Sequence, residues 1–194
     1  MILHNIYVIH SDGICPLSIR LGSIDAEPEM VAGVFTASQK FWKHLTGEEP
    51  RYINFQNLKA HVRRFTTGEK TWYLLVIFEV ENPKLLQTIE ETIIQTVMNN
   101  RNLFEKFVAD TNEISTSVQQ QIIEKLRSIP CPYMHRKVFE FTCQVNSNKF
   151  KTKKCNIIDT LACKDKIKEG TQPRNSMPLL NLTKASAALK LAEF

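Results

Sequence analysis

Long apolar runs are missing from this chain. None approaches the ~20 residues that a membrane-spanning helix needs, and the opening MILHNIYVIH has neither the basic start nor the small-residue cleavage site of a secretory leader. The expectation is a cytoplasmic protein that meets membranes at most peripherally. A disulfide framework is not indicated either. Cys15, Cys131, Cys143, Cys155 and Cys163 are an odd set in a chain of 194 residues, which is long enough to bury a core without covalent staples, so a reducing compartment is expected. The signature loops of familiar enzymes are absent too: there is no Walker loop, no G-x-G-x-x-G, no H-E-x-x-H and no G-x-S-x-G. That excludes a P-loop GTPase as the identity of the chain, though not as its partner, and the expectation is a non-enzyme with no cofactor.

Positive charge is confined to one end. The net charge is +5, yet residues 1–145 carry 15 Lys+Arg against 16 Asp+Glu, while residues 146–194 carry 10 against 4. A polyanion partner, if there is one, is therefore expected at the tail.

What is present is organised around Thr71 to Val80, TWYLLVIFEV. A strand with one wet face alternates apolar and polar residues, and nothing here alternates. A short run rich in aromatic and β-branched residues, between Thr67-Gly68 and Asn82-Pro83, reads as a central strand buried on both faces. A buried helix is the competing reading, opposed by the shortness of the run and by its turn and proline boundaries. Two buried faces need cover, and the flanking segments Glu27–His44 and Pro83–Asn99 both have helical spacing.

The rest of the chain supplies the partners of that strand. Ile2–His10 and Leu17–Leu21 read as a hairpin turned by Ser11-Asp12-Gly13. In the following helix Asp25 is expected as N-cap and Pro28 in the first turn, with Gly47 as the stop. Met30, Val31, Val34, Phe35, Ala37, Ser38, Phe41, Trp42 and Leu45 recur at spacings of three and four, an apolar stripe expected to lie on the sheet, with Gly33 and Ala37 permitting close approach. Arg51–Phe55 alternates Tyr52 and Asn54 against Ile53 and Phe55, and Leu58–Phe65 sets Lys59, His61 and Arg63 on one face, so these two segments and the central strand make a meander. A second helix over Pro83–Asn99 has Leu85, Leu86, Ile89, Ile93, Ile94 and Val97 inward and Glu90 among its water-facing residues. Asn102–Val108 and Ser115–Ser128 are further helical pieces, the last stopped by Pro130. Lys137–Val145, KVFEFTCQV, alternates like one strand, with Asn146-Ser147-Asn148 turning it back. Flexibility is expected past Lys164.

The order strand, strand, helix, strand, strand, strand, helix, helix resembles the longin/roadblock group of profilin-like domains, in its longin order. The opening IYVIHSDGICPLSIR, the EMVAGVFTASQKFW helix, the INFQNLKAHVRRF strand pair and YLLVIFEVENP carry the resemblance, over about residues 1–130. It implies an α+β domain with a five-stranded antiparallel sheet and helices on both faces, followed by a basic C-terminal extension over residues 131–194. It further implies a non-catalytic scaffold or regulator that binds a small Ras-like GTPase, another longin/roadblock protein or a trafficking-like complex, as a homo- or heterodimer.

Several residues are candidates for sites. Arg51, Tyr52, Ile53, Asn54 and Phe55 form an edge strand whose free backbone groups favour pairing with a partner chain. Lys59 and Arg63, with Arg64, form a small basic patch that is either a contact for an acidic partner or a solvated face. Lys149, Lys151, Lys153 and Lys154, beside Phe150, form a strip able to meet anionic lipid or nucleic-acid phosphates, though four lysines are few for nucleic acid and no stack of aromatics accompanies them. Cys131, His135, Cys143, Cys155 and Cys163 are weighed for zinc, but no C-x-x-C pair anchors them and the expectation is no metal. Cys15 near His10 is explained by hairpin geometry without a nucleophilic role.

Overall fold

In the computed structural model the chain folds as α+β around a five-stranded antiparallel sheet. The structure describes residues 2–22, 24–79, 82–105, 112–130, 134–137, 140–143, 149–150 and 157–158. Strands β1 (Ile2–His10) and β2 (Leu17–Arg20) form the opening hairpin and α1 spans Pro28–Thr46. The meander follows as β3 (Tyr52–Asn54), β4 (Lys59–Thr67) and β5 (Lys70–Glu79), then α2 (Pro83–Asn99), α3 (Arg101–Glu105) and α4 (Asn112–Ser128). A separate three-stranded sheet is built from β6 (Met134–Lys137), β7 (Glu140–Cys143) and β8 (Lys149–Phe150).

The main sheet runs β2-β1-β5-β4-β3, so the apolar run lies in its middle, with β1 and β4 antiparallel on either side. Period-2 geometry sends Trp72, Leu74, Val76 and Phe78 to one face, where they meet Leu86, Ile89, Ile93 and Val97 of α2 and Val118, Ile122 and Leu126 of α4. Tyr73 and Leu75 go to the other face with Tyr7, Ile9, Ala60 and Val62, beneath Ala32 and Phe35 of α1. Each large side chain so covered contributes about 1.5–3 kcal/mol relative to exposure, which is why the strand lacking a polar face takes the central place. Trp72 anchors the first face: its indole N–H donates to Thr67 Oγ1 at 2.7 Å, and Phe104 of α3 meets its ring edge-on at 5.3 Å. Ile157 joins this core and donates its N–H to Ile129 O at 3.0 Å, so the core draws on a residue beyond 130.

At the β1 end of the sheet the register shifts between Leu3 and Asn5. His4 sits at this irregularity, its carbonyl accepting from the N–H groups of Leu21 and Gly22 and its ring Nε2 lying 3.0 Å from Glu79 Oε1, both side chains buried. A Cβ on Gly22 would fall 2.3 Å from His4 Nδ1, so only glycine fits where the chain passes the ring.

Four expectations are corrected. The N-cap of α1 is Glu27, without a side-chain cap, because Asp25 is drawn to Arg20 instead. The face of α1 on the sheet is Ala32, Phe35, Thr36 and Gln39, with Val31 beside them; of the predicted stripe Phe35 and Val31 pack inward, while Met30, Val34, Phe41, Trp42 and Leu45 are exposed. Glu90 of α2 is buried, since β4 brings His61 and Arg63 under that helix. KVFEFTCQV is not a single strand: β6 ends at Lys137, which pairs with Glu140 at the start of β7. The expected turn at Asn146-Ser147-Asn148 and the tail past Lys164 lie outside the described residues.

Candidate functional site

Helix α1 puts five large apolar residues of its stripe into solvent. Met30 is 59% exposed, Val34 64%, Phe41 60% and Leu45 63%, with Trp42 at 45% on the flank. Successive residues of a helix are separated by about 100°, which groups Met30, Val34, Ala37, Phe41 and Leu45 on one side and Ala32, Phe35, Thr36 and Gln39 nearly opposite. The sheet surface under α1 is small and partly polar in its demands. Gln39 fits it because its Nε2 donates to Pro50 O at 3.3 Å, tying the helix to the loop that enters β3. Gly33 and Ala37 therefore permit no close approach to the sheet: both are exposed, and a Cβ on Gly33 would touch nothing within 4 Å. Gly47 ends the helix with φ of +79°, its N–H donating to Lys43 O at 2.9 Å, and the chain turns back toward the sheet.

Beyond the C-terminal end of α1 lies a concavity of about 1140 Å3, open along the outer edge of β4, with Trp42 and Lys43 on one wall and Tyr52, His61 and Arg63 on the other. Its charges are layered. Glu90 accepts from Arg63 at 3.5 Å and is in contact with His61 Nδ1, while Glu49 lies 3.0 Å from Lys43 Nζ and 3.8 Å from Arg64. The carboxylates sit behind, with the Glu90 side chain 5% and that of Glu49 21% exposed, and the cations reach outward. Tyr73 opens onto the same space. Burial pushes its phenol upward, the Glu49 carboxylate adds to the rise and Arg64 opposes it.

The predicted partner-binding residues are brought together on the β3–β4 hairpin. Arg51 precedes β3 and is exposed, and its carbonyl accepts from Val62 N at 2.8 Å. Tyr52 is 45% exposed with its ring 4.3 Å from that of His61. Ile53 packs toward the α1 side and Asn54 is exposed. Phe55 does not share the inward side with Ile53: β3 ends at Asn54, and Phe55 is 57% exposed in the turn, its N–H held by Leu58 O. Lys59 and Arg63 are half-buried on the α2 side of β4, whereas Arg64, one residue on, lies on the α1 side, so the predicted basic patch is divided between two faces.

Of the tail lysines, Lys149 falls in β8, while Lys151, Lys153 and Lys154 lie outside the described residues, as do Cys131, Cys155 and Cys163. His135 is in β6 and Cys143 in β7. Among the described residues no group of three or more His, Cys, Asp and Glu side chains is arranged to hold a metal ion. None of the described helices is long and apolar enough to cross a membrane. The Cys15 thiol is pushed up to about 12, chiefly by burial, and its Sγ donates to Leu17 O at 3.3 Å. Such a thiol stays protonated and is no nucleophile.

Two features differ from the sequence reading, the outward residues of α1 and the buried Glu90. For the stripe a signal exists: nine apolar or small positions span more of the helix circumference than one sheet face can cover. Comparison of the chain with protein-family models and with curated proteins finds no match.

Proposed function

We propose that the chain is a non-catalytic protein-interaction module, a cytoplasmic scaffold or regulator of the longin/roadblock kind. The strand order β2-β1-β5-β4-β3, with α1 between the hairpin and the meander and α2 after it, supports the kinship with that group. The observation that carries the reading is the outward face of α1. Met30, Val34, Phe41, Trp42 and Leu45 on one helix form an apolar surface of the kind that soluble monomers rarely leave open unless it receives something. The partner class we assign is a small Ras-like GTPase or a member of a trafficking-like complex, docking on α1 and the adjoining β3–β4 hairpin.

Immobilised chain is offered a panel of purified Ras-like GTPases, each loaded with GDP, with a GTP analogue or with no nucleotide. Retention of a panel member is expected, and Val34→Glu with Phe41→Glu should weaken it roughly tenfold or more, since a carboxylate in a desolvated contact costs several kcal/mol. Equal retention by the double variant removes α1 as the docking face. Failure to retain any member removes the GTPase assignment.

A second reading rests on the charge balance of the chain beyond residue 145, with 10 Lys+Arg against 4 Asp+Glu. Lys149, Lys151, Lys153 and Lys154 would then attach the module to an anionic membrane surface. Salt-sensitive retention on phosphatidylserine vesicles, lost on changing the four lysines to glutamine, is the expected result.

A further inference from the structure

Strand β4 is longer than the strand that covers its outer side. It runs from Lys59 to Thr67, but β3 pairs only Tyr52, Ile53 and Asn54 with His61, Ala60 and Lys59, and the last bond to its line is Val62 N–H to Arg51 O. The covering chain then departs. Pro50 lies outside β3, and its carbonyl is engaged by Gln39 of α1. The pairing of β4 with β5 continues without a register shift to Thr67, so the alternation that points Val62 N–H outward also points the backbone groups of Arg64 and Thr66 outward. Among the described residues these two face no backbone partner on that side, and both residues are exposed.

The charges around this stretch select what fits it. Arg63 leans over the α2 side and Arg64 over the α1 side, their side chains 42% and 54% exposed, and Arg51 is exposed at the near end. Of the neighbouring carboxylates Glu90 and Glu49 are turned inward, and Glu48 is the exposed one. At the far end, by the Gly68 turn, Glu69 and Glu105 stand instead.

We propose that Arg63–Thr67 of β4 receives an extended acidic segment of another protein as a sixth strand of the main sheet. Five residues of strand offer roughly 17 Å of edge, with rungs to Arg64 and Thr66, and the acidic side chains of the segment lie at the Arg51 end, over Arg63 and Arg64. The inference rests on the reading of the chain as an interaction module and names the chemistry of the partner and the line along which it binds.

The test pans a display library of random dodecapeptides on the full chain. Recovered peptides are expected to be enriched in Asp, Glu and β-branched residues, and a synthetic copy should slow hydrogen exchange at the Arg64 and Thr66 amides. Thr66→Pro removes one outward N–H without touching the β4–β5 ladder, and it should weaken binding roughly tenfold. Arg63→Glu with Arg64→Glu should invert the charge preference of the recovered peptides. Unaltered circular dichroism and urea midpoint establish that each variant is folded, and should Thr66→Pro not fold, the exchange measurement on the unaltered chain decides. Peptides without acidic enrichment, no change in exchange at Arg64 and Thr66, or no peptide recovered would overturn the proposal. Binders indifferent to Thr66→Pro but lost on Phe41→Glu would also overturn it while leaving the α1 docking face standing.

Discussion

The backbone N–H of Val62 donates to the carbonyl of Arg51 at 2.8 Å, and beyond that bond the outer side of β4 has no strand beside it among the described residues. The same corner holds the C-terminal turns of α1, in which every residue from Lys40 to Thr46 is exposed. The C-terminal turns of α1, through Trp42, Lys43 and Thr46, and residues 61–64 of β4 thus line one concavity, together with Glu49 and Glu90.

Glu90 holds that corner together. Removing its carboxylate leaves His61 and Arg63 beneath α2 without their shared acceptor, so Glu90→Ala should destabilise the fold by about 1–3 kcal/mol. Urea titration checks it. A change within about 0.5 kcal/mol, the range of ordinary surface substitutions, would show that the carboxylate is solvated instead.

Alkaline pH should weaken the fold through Cys15 and Tyr73. The Cys15 thiol is raised from 9.0 to about 12 and the Tyr73 phenol is raised from 10.0, so the unfolded chain releases both protons first. The stability each contributes is fully present below its unfolded value and is lost as pH climbs toward the folded one. Urea midpoints should fall between pH 9 and 11, and Cys15→Ser should flatten the early part of that fall. A thiol reagent at pH 8 should leave Cys15 unmodified in the folded protein and react once urea is added.

Two glycines should respond oppositely to alanine. At Gly22 the new Cβ would meet His4 Nδ1 at 2.3 Å in a buried setting, and a loss of about 1–3 kcal/mol is expected from the forced repacking. At Gly33, inside a helix with open space beside it, the substitution should stabilise by about 0.5–1 kcal/mol. Thermal melts of the two variants give the comparison directly, and a destabilised Gly33→Ala would mean that this face of α1 is covered.

Trp72→Ala tests the centre of the sheet. It deletes the largest fully buried side chain and strands Thr67 Oγ1, and a cost of about 3–5 kcal/mol follows. Loss of cooperative unfolding is the expected readout, and retention of most of the stability would contradict the packing described.

The pattern of residues discloses the middle of the molecule better than its rim. Trp72 to Phe78 has no polar alternate, and only a doubly covered position accommodates that, so its central place follows from composition alone. The helix signals at Pro28, Gly47 and Asn82 are local and were equally readable. Direction is the part that periodicity does not hold. Spacing establishes that Met30, Val34, Phe41 and Leu45 share a side of α1, but which body meets that side depends on the loop at Pro50 and on Gln39 reaching it. The burial of Glu90 is hidden for a related reason: a charged residue at a helix flank reads as wet until a strand from elsewhere carries His61 and Arg63 beneath it. The overhang of β4 is legible only in part: Leu58–Phe65 reads as longer than Arg51–Phe55, but the point at which the pairing stops is set by the tertiary path.

The outward apolar residues of α1 also set how the molecule tolerates change. A saturation library sorted for expression level would find Met30, Val34, Phe41 and Leu45 permissive and Ala32 and Phe35 strict. The same library sorted for complex formation would mark the first four as strict, so α1 should yield two nearly complementary fitness maps, one for each side of a single cylinder.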